Sequence, residues 1–424
     1  MLAPPETPPP KPSTTERSAF AALKHRDFRL LWMGQIVSVT GSQMQLVAIN
    51  WHVYLLTRSA FALGMVGLFR GLPIVVCSLL GGVVADVMDR KRLMIATQSI
   101  TLLSAGLLTT TTLLGWKSVW PIYILTGFSS AAVAFDIPAR QALMPALVPA
   151  KDFANAVSLG LLVFNVATIV GPAMAGLLLA SHGPAVVYAA NALSFLAVIL
   201  ALVAMRKSGR VTEATEMATK VSFAAFKEGL DFVRRTPIIV QTMTIDFVAT
   251  FFASASALLP IFAEEILRVG ARGLGVMASA PAVGSVLTAL VMARIGTFQR
   301  QGKLVIASVA IFGLATTAFG LSHVFWFSVL MLAVTGAADT VSTVLRQTIR
   351  QLSTPNHLRG RMTSINMVFF MGGPQLGEVE AGVLAAFVGA PLSVVVGGVG
   401  SMAAAVVAYI KAKSLVNYEG ERST

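Results

Sequence analysis

Twelve apolar runs dominate this chain, at approximately 30 to 56, 61 to 85, 93 to 115, 119 to 138, 154 to 180, 184 to 205, 237 to 262, 272 to 293, 304 to 322, 324 to 345, 363 to 388 and 391 to 411. A hydrocarbon layer of about 30 Å is crossed by about 20 helical residues, and a helix is the one single segment that satisfies its own backbone there. With 55% hydrophobic and 12% charged residues, the chain is too apolar for a soluble globule, in which about a quarter of residues carry charge. The expected fold is an all-α membrane protein with twelve transmembrane helices.

A net charge of +13 would suit a nucleic-acid partner if the bases formed a patch, but their placement gives a different reading. With the N-terminus inside, the segments expected in the cytoplasm hold 27 of the 32 Lys and Arg residues. The outer loops hold four, Arg58, Lys117, Arg268 and Arg272, and Arg70 lies within a span. This bias predicts both termini in the cytoplasm and no nucleic-acid partner. Six prolines between Met1 and Ser18 predict a disordered tail. The charged segment Lys24 to Arg29 separates that tail from the first run, which excludes a signal peptide and suits a short interfacial helix. One cysteine, Cys77, and five scattered histidines offer no disulfide and no metal-ligand spacing. No G-x-S-x-G, H-E-x-x-H or Walker loop occurs, so an enzyme, a cofactor and direct use of ATP are not expected.

The halves resemble each other at an offset of 206 residues. Arg140-Gln141 falls on Arg346-Gln347, Pro149 on Pro355, Ser158 on Ser364, Gly171 on Gly377 and Ala175-Gly176 on Ala381-Gly382. The expected organisation is a tail with an interfacial segment at 1–29, a six-helix bundle at 30–205, a linker at 206–236, a second bundle at 237–411 and a tail at 412–424. Within the linker, Phe223, Phe226, Leu230 and Val233 have the spacing of an amphipathic helix on the membrane surface.

The turn GGVVADVMDRKRLM, Gly81 to Met94, resembles the loop motif of the major facilitator superfamily, G-x-x-x-D-(R/K)-x-G-(R/K)-(R/K). Gly82, Asp86, Arg90 and Lys91 fill the matching places, while Val87 and Asp89 depart from it. NVATIVGPAMAG, Asn165 to Gly176, resembles the span-five antiporter signature G-P-x-x-(G/A)-G, carried by Gly171, Pro172 and Gly176. Glycines there let a neighbouring helix approach, and the proline bends its own. Phe28 to Trp51 and Phe135 to Pro149 look like the bacterial branch containing enterobactin-type siderophore exporters and macrolide-efflux-like proteins. The resemblance implies two six-helix bundles in parallel repeat, with spans one, four, seven and ten around a cavity. It implies export of a small amphipathic molecule (siderophore, macrolide or drug-like) by proton antiport through alternating access. The partners are then cargo, protons and the lipid of a bacterial plasma membrane, with a monomer as the working unit. A facilitator, an importer or a non-transporting receptor are the alternatives.

Ionisable side chains inside the spans are the candidate site, since each costs a few kcal/mol at the bilayer centre. Five are singled out: Arg70, Asp246, Asp339, Glu378 and Glu380. Asp246 stands roughly 14 Å into span seven at 1.5 Å per residue and is the expected coupling carboxylate, unpaired, with Asp339 in reserve. A carboxyl group taken out of water favours its neutral form and releases the proton when its surroundings wet. Arg70 is the expected partner for a buried carboxylate. Gln43 and Asn165 are candidate cargo contacts. Asp86 is expected to latch onto the start of span eleven, around Met362 to Ser364, with Arg140 as its second partner.

Overall fold

A computed structural model describes residues 20–206, 223–296, 298–355 and 358–420, almost wholly as long helices. The first half holds α1 (Arg26–Thr57), α2 (Ala60–Val87), α3 (Arg90–Leu113), α4 (Trp120–Leu147), α5 (Ala150–His182) and α6 (Pro184–Ala204). A linker helix, α7 (Phe223–Arg235), leads into α8 (Pro237–Phe252), α9 (Gly270–Ile295), α10 (Gln301–Gly320), α11 (Phe325–Leu352), α12 (Arg359–Val388) and α13 (Ala390–Lys411). Among the described residues, ten spans are long and apolar enough to cross a membrane, and α1 and α12 run beside them at 32 and 30 residues. Leu103, Leu193, Leu290 and Val406 point outward and exposed, as lipid contact requires.

Local chemistry explains several boundaries. Asp89, where the loop motif usually has glycine, caps α3 by accepting from the Arg92 backbone N–H at 3.0 Å, which satisfies one orphan donor of the first turn. Gly183 and Gly389, 206 positions apart, end α5 and α12 with φ of +75° and +86°, a conformation that glycine adopts without steric cost.

The repeat extends to packing. In the first half α1 meets α5 and α6, α2 meets α4, and α3 meets α4 and α6. In the second, α8 meets α12 and α13, α9 meets α11, and α10 meets α11 and α13. The halves join through α2 on α12 and α5 on α9, again equivalent pairs.

The joint is one-sided. At the end bearing the turns after α1, α5 and α12, a single apolar core runs through both halves and includes Tyr54, Leu63, Tyr188, Leu258, Phe262, Met277 and Phe319. At the opposite end, where the described chain ends lie, each half has its own core. One is built on Phe28, Met94, Leu143 and Leu202, the other on Ile245, Val305, Ile349 and Leu415. The halves therefore close together at the first end and separate toward the second.

Four expectations change. Helix α4 runs to Leu147 and α11 to Leu352, so Arg140, Arg346 and Arg350, expected in the connections after spans four and ten, lie well within helices. Span seven is not one helix: α8 stops at Phe252, and the chain passes Ala253 and Ser254 before a 3-10 turn at Ala255–Leu258. Pro260 lies just beyond, and its ring nitrogen cannot donate to the Ser256 carbonyl. Among the described residues no separate interfacial helix precedes α1, which begins at Arg26 after a short 3-10 turn, Ala21–Lys24. Of the apolar face of α7, Val233 and Leu230 pack on protein, against Ile239, Met243, Met362 and Ile365, while the side chains of Phe223 and Phe226 lie outside the described ones.

Candidate transport cavity and its ion pairs

Between the halves lies a cavity of about 380 Å³. Its walls come from α5 (Phe164, Asn165, Thr168), the broken span seven (Thr250, Ser254, Ser256), α9 (Pro281, Ser285), α10 (Phe312, Thr316), α11 (Thr335, Asp339) and α12 (Pro374). The resemblance put spans one and four around the cavity as well. Among the described lining residues neither contributes, and α5 is the first half's only wall. The break after Phe252 turns Ser254 and Ser256 toward this space. Asp339 is the only ionisable side chain among the described lining residues.

Asp246 is not the unpaired carboxylate that its position suggests. It is 3% exposed, and its Oδ1 lies 2.8 Å from Nη2 of Arg346, a residue 1% exposed. Asp339 lies 3.9 Å from the same nitrogen, and its side chain is 48% exposed against 5% for Asp246. Thr343 bridges them: it accepts from Arg346 at 2.9 Å and donates to Asp339 at 3.4 Å. One arginine thus serves two carboxylates, one locked and one facing the cavity. Arg350, one turn beyond Arg346, is also buried.

The first half has a counterpart that sequence reasoning did not single out. Asp136 is 2% exposed and accepts from Thr97 and Gln98 of α3 at 3.0 Å each. It also pairs with Arg140 one turn along α4, and Arg140 donates in addition to Gln35 of α1. The i, i+4 spacing of an acid and a base in an apolar run was the available signal. Arg140 and Arg346 occupy equivalent places in the repeat, but Arg140 pairs with a carboxylate of its own helix and Arg346 most closely with one of α8.

A family model described as transmembrane secretion effector matches residues 17–421. The chain belongs to the transmembrane secretion effector family. It is 25% identical over 376 residues to the enterobactin exporter EntS of Citrobacter koseri, covering 89% of each chain. To the EntS of Salmonella typhimurium it is 24% identical, over 89% of this chain and 90% of the relative. Among solved structures, a POT family transporter in complex with a thioalcohol-conjugated peptide aligns with TM-score 0.73 at 10% identity, covering 92% of this chain and 96% of that one. A bacterial homologue of the lysosomal transporter Spinster aligns with TM-score 0.71 at 14% identity, over 94% and 99%. The fold is that of the major facilitator superfamily, and the protein is a multi-pass membrane transporter of the export type.

In this secretion effector the joint between the halves is built on small residues and a few charges. A Cβ on Gly176 would lie 2.8 Å from the Gly275 Cα, and one on Gly64 2.9 Å from the Gly382 Cα. Glycine is required at such contacts because the backbones themselves touch. Gly171 faces α1 within its own half, where a Cβ on it would lie 2.6 Å from the Gln43 Cβ. Gln43 is thus a helix contact there, whereas Asn165 lines the cavity. Glu378 sits in the α2–α12 seam, where it pairs with Arg70 at 3.5 Å and accepts from Ser256 at 3.2 Å. Arg70 is therefore the partner of Glu378 and not of Asp246. At the closed end Tyr54 donates to Glu265, and Arg58 lies 3.8 Å from Glu264.

The loop motif is engaged within its own half. Arg90 donates to the Ala142 carbonyl at 3.1 Å and Lys91 to the Met205 carbonyl at 2.8 Å. Gly82 lies within α2, and the side chains of Asp86 and Ser364 are outside the described ones. Arg140, the expected second partner of Asp86, is held by Asp136 and Gln35.

Proposed function

We propose that the protein exports a small amphipathic molecule from the bacterial cytoplasm by proton antiport through alternating access. The observation that carries this reading is the cavity between the halves, closed at one end, with Asp339 in its wall beside an arginine that Asp246 already neutralises. A carboxylate in that setting exchanges a proton with the cavity without stranding a buried charge, because Arg346 keeps its 2.8 Å partner throughout. The coupling role therefore moves from Asp246 to Asp339, and Asp246 becomes the residue that holds Arg346. The Lys and Arg bias assigns the separated ends to the cytoplasm, so cargo enters the cavity from inside. Rocking of the halves about the α2–α12 and α5–α9 seams then exposes Asp339 to the outer face, where it takes up a proton and cargo leaves. Antiporter-like glycines in α5 and kinship to EntS support the outward direction, and a single chain suffices for the cycle.

The test is accumulation of labelled cargo in inverted membrane vesicles, across siderophores, macrolides and dyes, with and without an imposed pH gradient. Gradient-driven accumulation that Asp339→Asn abolishes is the expected result. Flux indifferent to the gradient would make the protein a facilitator, and binding without flux a receptor.

A further inference from the structure

The chemistry of the cavity wall constrains what it can hold. A serine or threonine hydroxyl has one proton to give and two lone pairs to receive. Thr250, Ser254, Ser285, Thr316 and Thr335 each give theirs to a backbone carbonyl at 2.7 to 3.0 Å. Thr168 on the facing wall does the same toward the Asn165 carbonyl, and Ser256 donates to Glu378. With these protons engaged, the hydroxyls offer a ligand only acceptor lone pairs. Among the described lining side chains, the Asn165 amide alone keeps a donor.

The charges agree with the hydrogen bonds. Asp339 opens into the cavity, while the positive charge nearest to it, Arg346, lies behind it and is bound to Asp246 at 2.8 Å. Arg350 is eleven residues further along α11, about 16 Å at 1.5 Å per residue. The space therefore presents one carboxylate and a set of oxygen acceptors, between the rings of Phe164, Phe312 and Phe319. An anion there would meet acceptors and a like charge, and desolvating a charge without donors is costly.

We infer that the cargo is held as a cation, an amphipathic molecule bearing an ammonium group and further N–H or O–H donors, with the ammonium on Asp339. This assignment rests on the export reading and narrows it: a polyanionic cargo does not match the wall.

Three probes with one fluorophore and one linker length test it: dansylcadaverine, its N-acetyl derivative and the corresponding dansyl carboxylate. Binding is measured to the full chain in lipid nanodiscs, and transport into vesicles carrying the same chain. The expected order is ammonium over acetamide by about tenfold or more, with the carboxylate weakest, since hydrogen bonds to a charged group are the stronger kind. In the binding measurement, Asp339→Asn should abolish the preference for the ammonium over the acetamide probe, and Asp339→Glu should restore it. Equal or tighter binding of the carboxylate, or a cation preference that survives Asp339→Asn, overturns the charge assignment and leaves export standing. Binding of none of the three counts against the cavity as a cargo site, and so against the export reading itself. The wild-type series decides the charge class even if a variant fails to fold.

Discussion

Replacing Asp246 by asparagine separates a structural from a coupling role, and its size follows from the geometry. Arg346 is fully buried, and its Nε has no hydrogen-bond partner. With Asp246 neutral, the nearest carboxylate is Asp339, at 3.9 Å instead of 2.8 Å. At an effective dielectric of 20, Coulomb attraction before desolvation is about 6 kcal/mol at the shorter distance and about 4 kcal/mol at the longer. Breaking a buried pair costs about 3–5 kcal/mol, and the residual attraction to Asp339 puts this variant near the lower figure. For a bundle of about 175 residues, unfolding entropy is about 0.37 kcal/mol/K, so a loss of about 3 kcal/mol lowers the melting temperature by about 8 °C. The assay is thermal unfolding of the purified protein in detergent, for Asp246→Asn, Arg346→Gln and the double variant. The double variant should regain at least half of the single loss, because neither member then leaves a bare charge. Asp246→Asn protein that survives purification should still accumulate cargo under a pH gradient. A melting temperature within about 1 °C of wild type, or losses that simply add in the double variant, would refute the reasoning.

Three further outcomes are expected. A Cβ on Gly336 would lie 1.9 Å from the Pro281 carbonyl oxygen, whereas one on Gly106 meets nothing within 4 Å; Gly336→Ala should destabilise by about 1–3 kcal/mol or more, and Gly106→Ala should melt like wild type. Glu378→Gln removes the carboxylate that faces Arg70 across the seam. Spin labels replacing the exposed Phe61 and Phe387, at the closed end, should then report a longer distance component, and an unchanged distribution would remove Glu378 from the gate. Asp86→Asn should impair transport and shift the protein away from the conformer closed at the cytoplasmic end, as read by thiol labelling on that side; unaltered transport and labelling would end the latch idea.

What the chain alone determined rests on energies that each segment carries by itself. Apolar length decides partition into the bilayer, so runs and helices coincide at Pro184–Ala204 and at Ala390–Lys411. Asp89 capped its own helix, and Gly183 and Gly389 ended theirs, for equally local reasons. The six-plus-six repeat was legible because equivalent packing kept the same small residues in each half. The partners of the charges were not. Arg140 had its carboxylate, Asp136, one turn away on the same helix, but Arg346 read as a loop base because a lone arginine ends an apolar run, and only a carboxylate brought in by folding lets the helix carry it inward. Asp246 meets Arg346 one hundred positions away, and Glu378 meets Arg70 across 308. Which carboxylate faces the cavity, which is sealed against an arginine, and which of a hydroxyl's hydrogen bonds remains free for cargo are settled by side chains from separate helices competing for the same few donors. That competition exists only once the helices are packed.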